Sequence, residues 1–228
     1  MTVPAAEAVF RPVAEHGLLV DLADRPARAV HDRVLALDRA LAAAPFPGFV
    51  EAVPGHVNLL VRFDPLLTDH RAAEAAIAGL LARSAGPRPP GRLHEIGICC
   101  EGDLAPDMAE VARRTGLSPD GVVALLAGAE HEVAIYGFAP GYAYLTGLPE
   151  PLHLPRKPAA LRDVPAGSLL VAAGQCIVST LTMPTGWWIL GRSPVPILTG
   201  NPARPFRFDV GDRVRFRPMS RAEYEAAP

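Results

Sequence analysis

The densest chemical signal in the 228-residue chain lies between residues 136 and 196. It opens as Tyr136-Gly-Phe-Ala-Pro-Gly-Tyr-Ala-Tyr-Leu145 and continues through Leu154-Pro-Arg-Lys157, Val164-Pro-Ala-Gly-Ser168 and Ala173-Gly-Gln175. It closes with Pro184-Thr-Gly-Trp-Trp-Ile-Leu-Gly-Arg-Ser-Pro194. Tyr136, Tyr142, Tyr144, Trp187 and Trp188 bring large apolar faces with polar tips. Arg156, Lys157 and Arg192 bring cations that suit a carboxylate or a phosphate, and a guanidinium holds either in bidentate fashion. Gln175 both donates and accepts. Such a set fits a pocket for a small anionic or amide-bearing ligand. It fits the centre of a protein–protein interface equally well, because Trp, Tyr and Arg dominate such centres. A third reading is a β-barrel whose turns need glycine and whose core needs rings. Arg192 leans towards function, since an arginine between Gly191 and Ser193 at a strand end is seldom needed for packing.

Other chemistries are missing from the sequence. There is no G-x-x-x-x-G-K-[ST] loop, no G-x-G-x-x-G after a strand and no G-x-S-x-G elbow. His94-Glu95 and His131-Glu132 begin like zinc-protease motifs but lack the second histidine. The 7 histidines stand singly, and no metal site is expected. Cys99, Cys100 and Cys176 are too few and too oddly spaced for a disulfide framework or a zinc site, which favours a reducing cytoplasm.

The elements that must position these groups follow from periodicity. Val9–Val13 and Gly17–Leu22 read as strands, and a helix runs from Pro26 to Ala43 with Val30, Val34, Leu37 and Leu41 on one face. Phe49–Val53 and Val57–Phe63 read as a hairpin. A second helix over residues 70–83 is capped by Thr68 or Asp69 and turns Ala73, Ile77, Leu80 and Leu81 inward. Three prolines and two glycines between Ser84 and Gly91 read as a linker. The expected domains are therefore 1–88 and 92–228. Beyond the linker come a strand from Leu93 to Cys100, a helix capped by Asp103 and running to Thr115, and a helix started by Ser118-Pro119 and closed by Gly128. The two helices superficially resemble a helix-turn-helix, but the second has no basic residue, and no nucleic-acid partner is expected. From His131 the pattern is short strands (Glu132–Gly137, Ser168–Ala172, Cys176–Leu181, Trp187–Leu190, Arg213–Arg217) between Gly/Pro turns, which indicates a barrel or sandwich. Ser220–Ala227 reads as a short exposed helix.

Composition sets the frame. Half the residues are hydrophobic and 20% are charged, so the chain is globular. A net charge of −2 opposes a polybasic nucleic-acid or membrane binder, and no run approaches the roughly 20 apolar residues of a membrane span. Of the 22 basic residues only Lys157 is lysine.

The order G-F-x-P-G-[FY]-x-Y-L, P-R, V-P-A-G-S, G-Q, P-x-G-W, G-R-[ST]-P resembles the family of 5-oxoprolinase B subunits, also called allophanate hydrolase subunit 1 or KipI-type kinase inhibitors. His56-Val-Asn-Leu-Leu-Val-Arg-Phe-Asp-Pro65 and Leu117-Ser-Pro-Asp-Gly-Val-Val123 extend the likeness more loosely towards the N-terminus. Cys100-Glu-Gly-Asp103, Ala173-Gly174, Cys176-Ile-Val-Ser179 and Asn58 depart from the commoner family pattern. The resemblance implies an α+β protein, a small N-terminal α/β domain followed by a cyclophilin-like β-barrel domain. It implies one component of an ATP-dependent 5-oxoprolinase, inactive alone, that works with a subunit-C-like (KipA-type) partner and a third, LamB/YcsF-type polypeptide, the A component of that enzyme. ATP is then used by the complex, and the substrate is a small anion. A regulatory protein that inhibits a sensor histidine kinase, or a carboxyltransferase-type module related to urea carboxylase, are the alternatives. Carried onto this chain, the motifs make Arg192 and Arg156 the expected catalytic residues. Tyr136, Phe138, Pro140, Gly141, Tyr144, Lys157, Gln175 and Trp187 are the expected substrate- or partner-binding residues.

Overall fold

The computed structural model describes residues 8–83 and 91–227. The chain divides into two compact units, residues 1–89 and 90–228. The expected linker, apart from Gly91, lies outside the described residues.

In the first unit, strands β1 (Val9–Val13), β2 (Gly17–Asp21), β3 (Phe49–Pro54) and β4 (Asn58–Phe63) form an antiparallel sheet in the order β1-β2-β4-β3. Helices α1 (Arg28–Ala43) and α2 (His70–Arg83) join it in one core. Leu18, Val20, Leu59 and Val61 point there from alternate strand positions, and Val30, Val34, Leu37, Leu41, Ala73 and Ile77 meet them at helical spacing. Helix α1 starts two residues later than its sequence suggests, because Ala27 is still extended (φ −151°). At α2 it is Asp69 that caps, its carboxylate accepting from the Ala72 N–H at 2.8 Å.

The second unit is built on β5 (Leu93–Ile98), β6 (His131–Tyr136), β7 (Ala143–Thr146), β8 (Leu161–Val164), β9 (Ser168–Ala172), β10 (Gln175–Val178), β11 (Met183–Thr185), β12 (Trp188–Arg192) and β13 (Arg213–Pro218). Seven of these form a sheet in the order β12-β9-β10-β7-β6-β13-β5. Its two edges are tied by one antiparallel bridge, in which the Cys99 and Arg192 N–H groups each donate to the other's carbonyl at 2.9 Å. The sheet is thereby a nearly closed barrel, and the expected α+β architecture with a barrel in the second half holds.

Alternation along the strands separates two apolar layers. Leu169, Val171, Cys176, Val178, Trp188 and Leu190 face one core, shared with Met108, Val111, Val122 and Leu126 of α3 (Met108–Thr115) and α4 (Pro119–Gly128). Leu170, Ala172, Ile177 and Ile189 face the other way, into a cluster with Tyr142, Val164 and Trp187. A two-stranded ribbon of β8 and β11 contributes Val164 and Met183 to that cluster. Strand β9 is consequently buried on both faces, and each of its leucines contributes about 1.5–3 kcal/mol of burial.

The helix expected from Asp103 begins later. Residues Gly102–Leu104 form a 3₁₀ turn, the Asp103 carboxylate pairs with Arg221 of α5 (Arg221–Glu225), and Asp107 takes the N-cap position of α3. The Ser118 side chain caps α4 as expected, accepting from the Gly121 N–H at 3.1 Å.

Candidate functional site

A cleft of about 140 Å³ opens on the outer layer of the barrel. Its wall is Leu170 of β9, Ile177 of β10 and Tyr144 of β7. Pro184, Thr185, Gly186 and Trp187 close one side, and Phe138, Tyr142 and Arg156 complete it. Drug-sized ligands need roughly 300 Å³ or more, so the volume suits a molecule of a few heavy atoms.

The rings are fixed by mutual contact and by backbone. Tyr144 meets Trp187 with centroids 6.0 Å apart and planes at 64°, and Phe138 meets Tyr142 at 5.6 Å and 59°. The Trp187 N–H donates to Thr185 Oγ1 at 3.1 Å. Burial, followed by the neighbouring Tyr144, pushes the Tyr142 phenol up to about 12, so it stays a neutral donor at physiological pH. The loop carrying Phe138 is a chain of tight turns: Ala139 N–H to Gly137 O (2.9 Å), Tyr142 N–H to Ala139 O (3.0 Å) and Thr180 Oγ1 to Pro140 O (2.8 Å). Gly141 is required within it, at φ +70° and where a Cβ would lie 2.8 Å from Leu198 Cδ2. Phe138 also has positive φ (+70°), yet its side chain is not folded in: the residue is 75% exposed. A bulky residue in the left-handed region is uncommon and marks strain.

Arg156 and Lys157 meet opposite fates. Arg156 is exposed, its guanidinium carbon stands 5.9 Å from the Trp187 ring centroid, and it pairs with no carboxylate among the described residues. Lys157 turns inward. Its Nζ lies 2.7 Å from Asp107 Oδ2, with side-chain exposures of 9% and 15%.

Of the ten residues singled out from sequence, Phe138, Tyr144, Arg156 and Trp187 line this cleft. The other six do not. Tyr136 donates its hydroxyl to the Phe208 carbonyl at 2.6 Å and packs on Phe206. Pro140 and Gly141 shape the loop, Lys157 is engaged by Asp107, and Gln175 opens β10 half-buried. Arg192 sits at the barrel's closing bridge opposite Ser168, its Nε buried with no hydrogen-bond partner. The cleft also uses Leu170, Ile177, Pro184 and Thr185, whose types carry no chemical signal in a sequence.

Among the described residues no group of three or more His, Cys, Asp or Glu side chains is placed to hold a metal ion. No helix there is long and apolar enough to cross a membrane.

Residues 8–208 match the family model described as carboxyltransferase domain, subdomain C and D. The chain is 35% identical over 212 residues to the 5-oxoprolinase B subunit of Escherichia coli O157:H7, covering 91% of this chain and 94% of that protein. Its structure is similar to the crystal structure of TTHA0988, with a TM-score of 0.79 and 33% identity over 90% of this chain, which spans 40% of that longer chain. Kluyveromyces lactis urea carboxylase shares the fold, with a TM-score of 0.75 at 16% identity over 98% of this chain and 23% of that one.

Proposed function

The chain belongs to the carboxyltransferase domain family, subdomain C and D, and on that premise we propose that it is the cleft-bearing component of a complex that opens 5-oxoproline to glutamate using ATP. The name of its bacterial relatives supports the substrate. The observation that carries the reading is the unpaired Arg156 guanidinium over Trp187 at the mouth of a small aromatic cleft.

5-Oxoproline is a five-membered lactam with a carboxylate. Arg156 receives the carboxylate, Trp187 and Tyr144 contact the flat ring, and the neutral Tyr142 phenol donates a hydrogen bond. Opening the lactam at neutral pH needs coupling. Transfer of the ATP γ-phosphoryl group to the amide oxygen activates the ring carbon towards water. The C–N bond then breaks to leave an acyl phosphate, a second water releases phosphate and glutamate, and cations stabilise the developing charge. Arg192, at the closing bridge and outside the cleft, is not assigned that role. ATP is assigned to the complex rather than to a site on this chain. The partners proposed are a subunit-C-like (KipA-type) protein and a LamB/YcsF-type protein as the A component.

The test is co-expression of the three polypeptides and measurement of ATP-dependent glutamate release from 5-oxoproline. Arg156→Ala in that complex is expected to raise KM at least about tenfold, the loss of one charge-assisted hydrogen-bonding pair. No turnover by the intact complex sinks the enzyme reading, and an unchanged KM in the variant removes the cleft from it. The exposed apolar residues Phe138, Leu161 and Leu181 favour a second reading, a docking surface on a sensor kinase, which predicts lowered autophosphorylation at stoichiometric amounts.

A further inference from the structure

We propose that Asp107 and Lys157 are positioning residues for Arg156, holding its guanidinium over Trp187 ready for the anionic group of the ligand. The inference deepens the reading of the cleft as a substrate site and rests on it.

Both neighbours of Arg156 are tied down. The Pro155 carbonyl accepts from the Trp188 indole N–H at 2.8 Å. The Lys157 N–H donates to Gly186 O at 2.7 Å, and its ammonium donates to Asp107 Oδ2 at 2.7 Å. The same carboxylate oxygen accepts the Ile189 N–H at 2.7 Å, while the Asp107 N–H donates back to Ile189 O at 3.2 Å. Asp107 thus joins the start of α3, strand β12 and the segment 155–157. Lys157 also lies 5.8 Å from the Trp188 ring centroid.

The arrangement couples two adjacent pairs across the sheet. Trp188 points into the inner core and Trp187 into the outer layer. Lys157 is drawn inward and Arg156 is left outside, over Trp187. The inner member of each pair fixes the backbone from which the outer member projects, Trp187 buried in the outer layer and Arg156 exposed above it. An arginine on a loose loop loses freedom when it captures an anion, and a backbone fixed on both sides reduces that loss. A buried ion pair is seldom a gain in stability over apolar packing, and its better-attested use is to specify one geometry.

The test uses Asp107→Asn with Lys157→Met. The asparagine carbonyl keeps an acceptor for the Ile189 N–H, and the methionine avoids leaving a buried ammonium unpaired. In the three-component complex the double variant is expected to raise KM for 5-oxoproline about tenfold with kcat within about twofold. In the isolated chain, NMR of the Arg156 Nε–Hε group supplies a readout that does not depend on turnover. The wild-type signal is expected to be rigid and ring-current shifted by Trp187, and the double variant's to become mobile and unshifted. A mobile wild-type Arg156, an unchanged signal in the variant, or a fall in kcat with KM unchanged overturns the proposal. If the intact complex does not process 5-oxoproline while the NMR shifts appear, the substrate assignment fails and the positioning role stands. If variant folding is in doubt, Lys157→Met alone retains every Asp107 contact with Ile189 and is read the same way.

Discussion

Replacing Phe138 separates backbone strain from side-chain packing. At φ +70° a non-glycine residue costs about 1–2 kcal/mol. The ring returns little, since the residue is 75% exposed and its pair with Tyr142 contributes about 0.5–1.5 kcal/mol. Phe138→Ala keeps the strain and loses the ring pair, so it is destabilising by about 0.5–1.5 kcal/mol. Phe138→Gly loses the same pair, relieves the strain, and adds the roughly 0.5–1 kcal/mol entropy cost of glycine, so it comes out close to wild type. Glycine is therefore expected to be more stable than alanine by about 0.5–1 kcal/mol, the reverse of the ordinary order. Urea unfolding followed by tryptophan fluorescence measures this in the right place, because Trp187 and Trp188, the 2 tryptophans of the chain, both lie in the second unit, Trp187 in the cleft wall. An alanine variant as stable as glycine, or more so, refutes the left-handed backbone. With both variants folded, weaker ligand binding assigns the ring its use.

Two further outcomes follow from buried groups. Burial lowers the His131 imidazole below its ordinary value near 6.5, with the backbone at Leu126 and Thr146 opposing, so the unfolded chain takes up a proton that the folded one refuses. Stability is then full above about pH 6.5 and declines as pH falls below it; urea midpoints at pH 7.5 and 5.5 should differ less in His131→Gln, and an identical slope in both proteins contradicts the assignment. Burial, then Cys99 and Glu101, raises the Cys100 thiol to about 12, so native protein at pH 8 should resist iodoacetamide at all of its cysteines until urea is added. Rapid labelling of Cys100 in the folded chain would show that the seam at Cys99 opens freely.

The first unit is legible because its apolar residues keep one period per element: Val30, Val34, Leu37 and Leu41 can only be a helix face, and the strands carry their own turn residues. In the second unit, β7, β8 and β11 are hidden from such reading because each is 3–4 residues long and set among turns, where no period can be counted. The start of α3 is set by a contact no local pattern contains. Asp103 has the type of a cap but is held by Arg221, 118 residues away. Asp107 occupies the cap position while its carboxylate serves Lys157 and Ile189. The candidate site is half visible for a similar reason. The sequence names Arg156-Lys157 and Trp187-Trp188 as pairs, and which member of each turns outward depends on the register of β12 against β9. The solitary lysine among arginines is the available hint, since it is the cation that is drawn inward to Asp107.

The last strand of the barrel has an implication for how the protein is made. Strand β13 inserts between β6 and β5, running parallel to β5 with Arg213 opposite Leu93, a separation of 120 residues. A ribosome delivers roughly 5–20 residues per second, N-terminal part first, so the first unit has time to fold while the second is still being threaded out. Until residue 218 emerges, however, β5 and β6 stand with unmatched edges and nothing between them. The time between delivery of β6 and delivery of β13 is therefore the interval in which these two edges are open to mispairing.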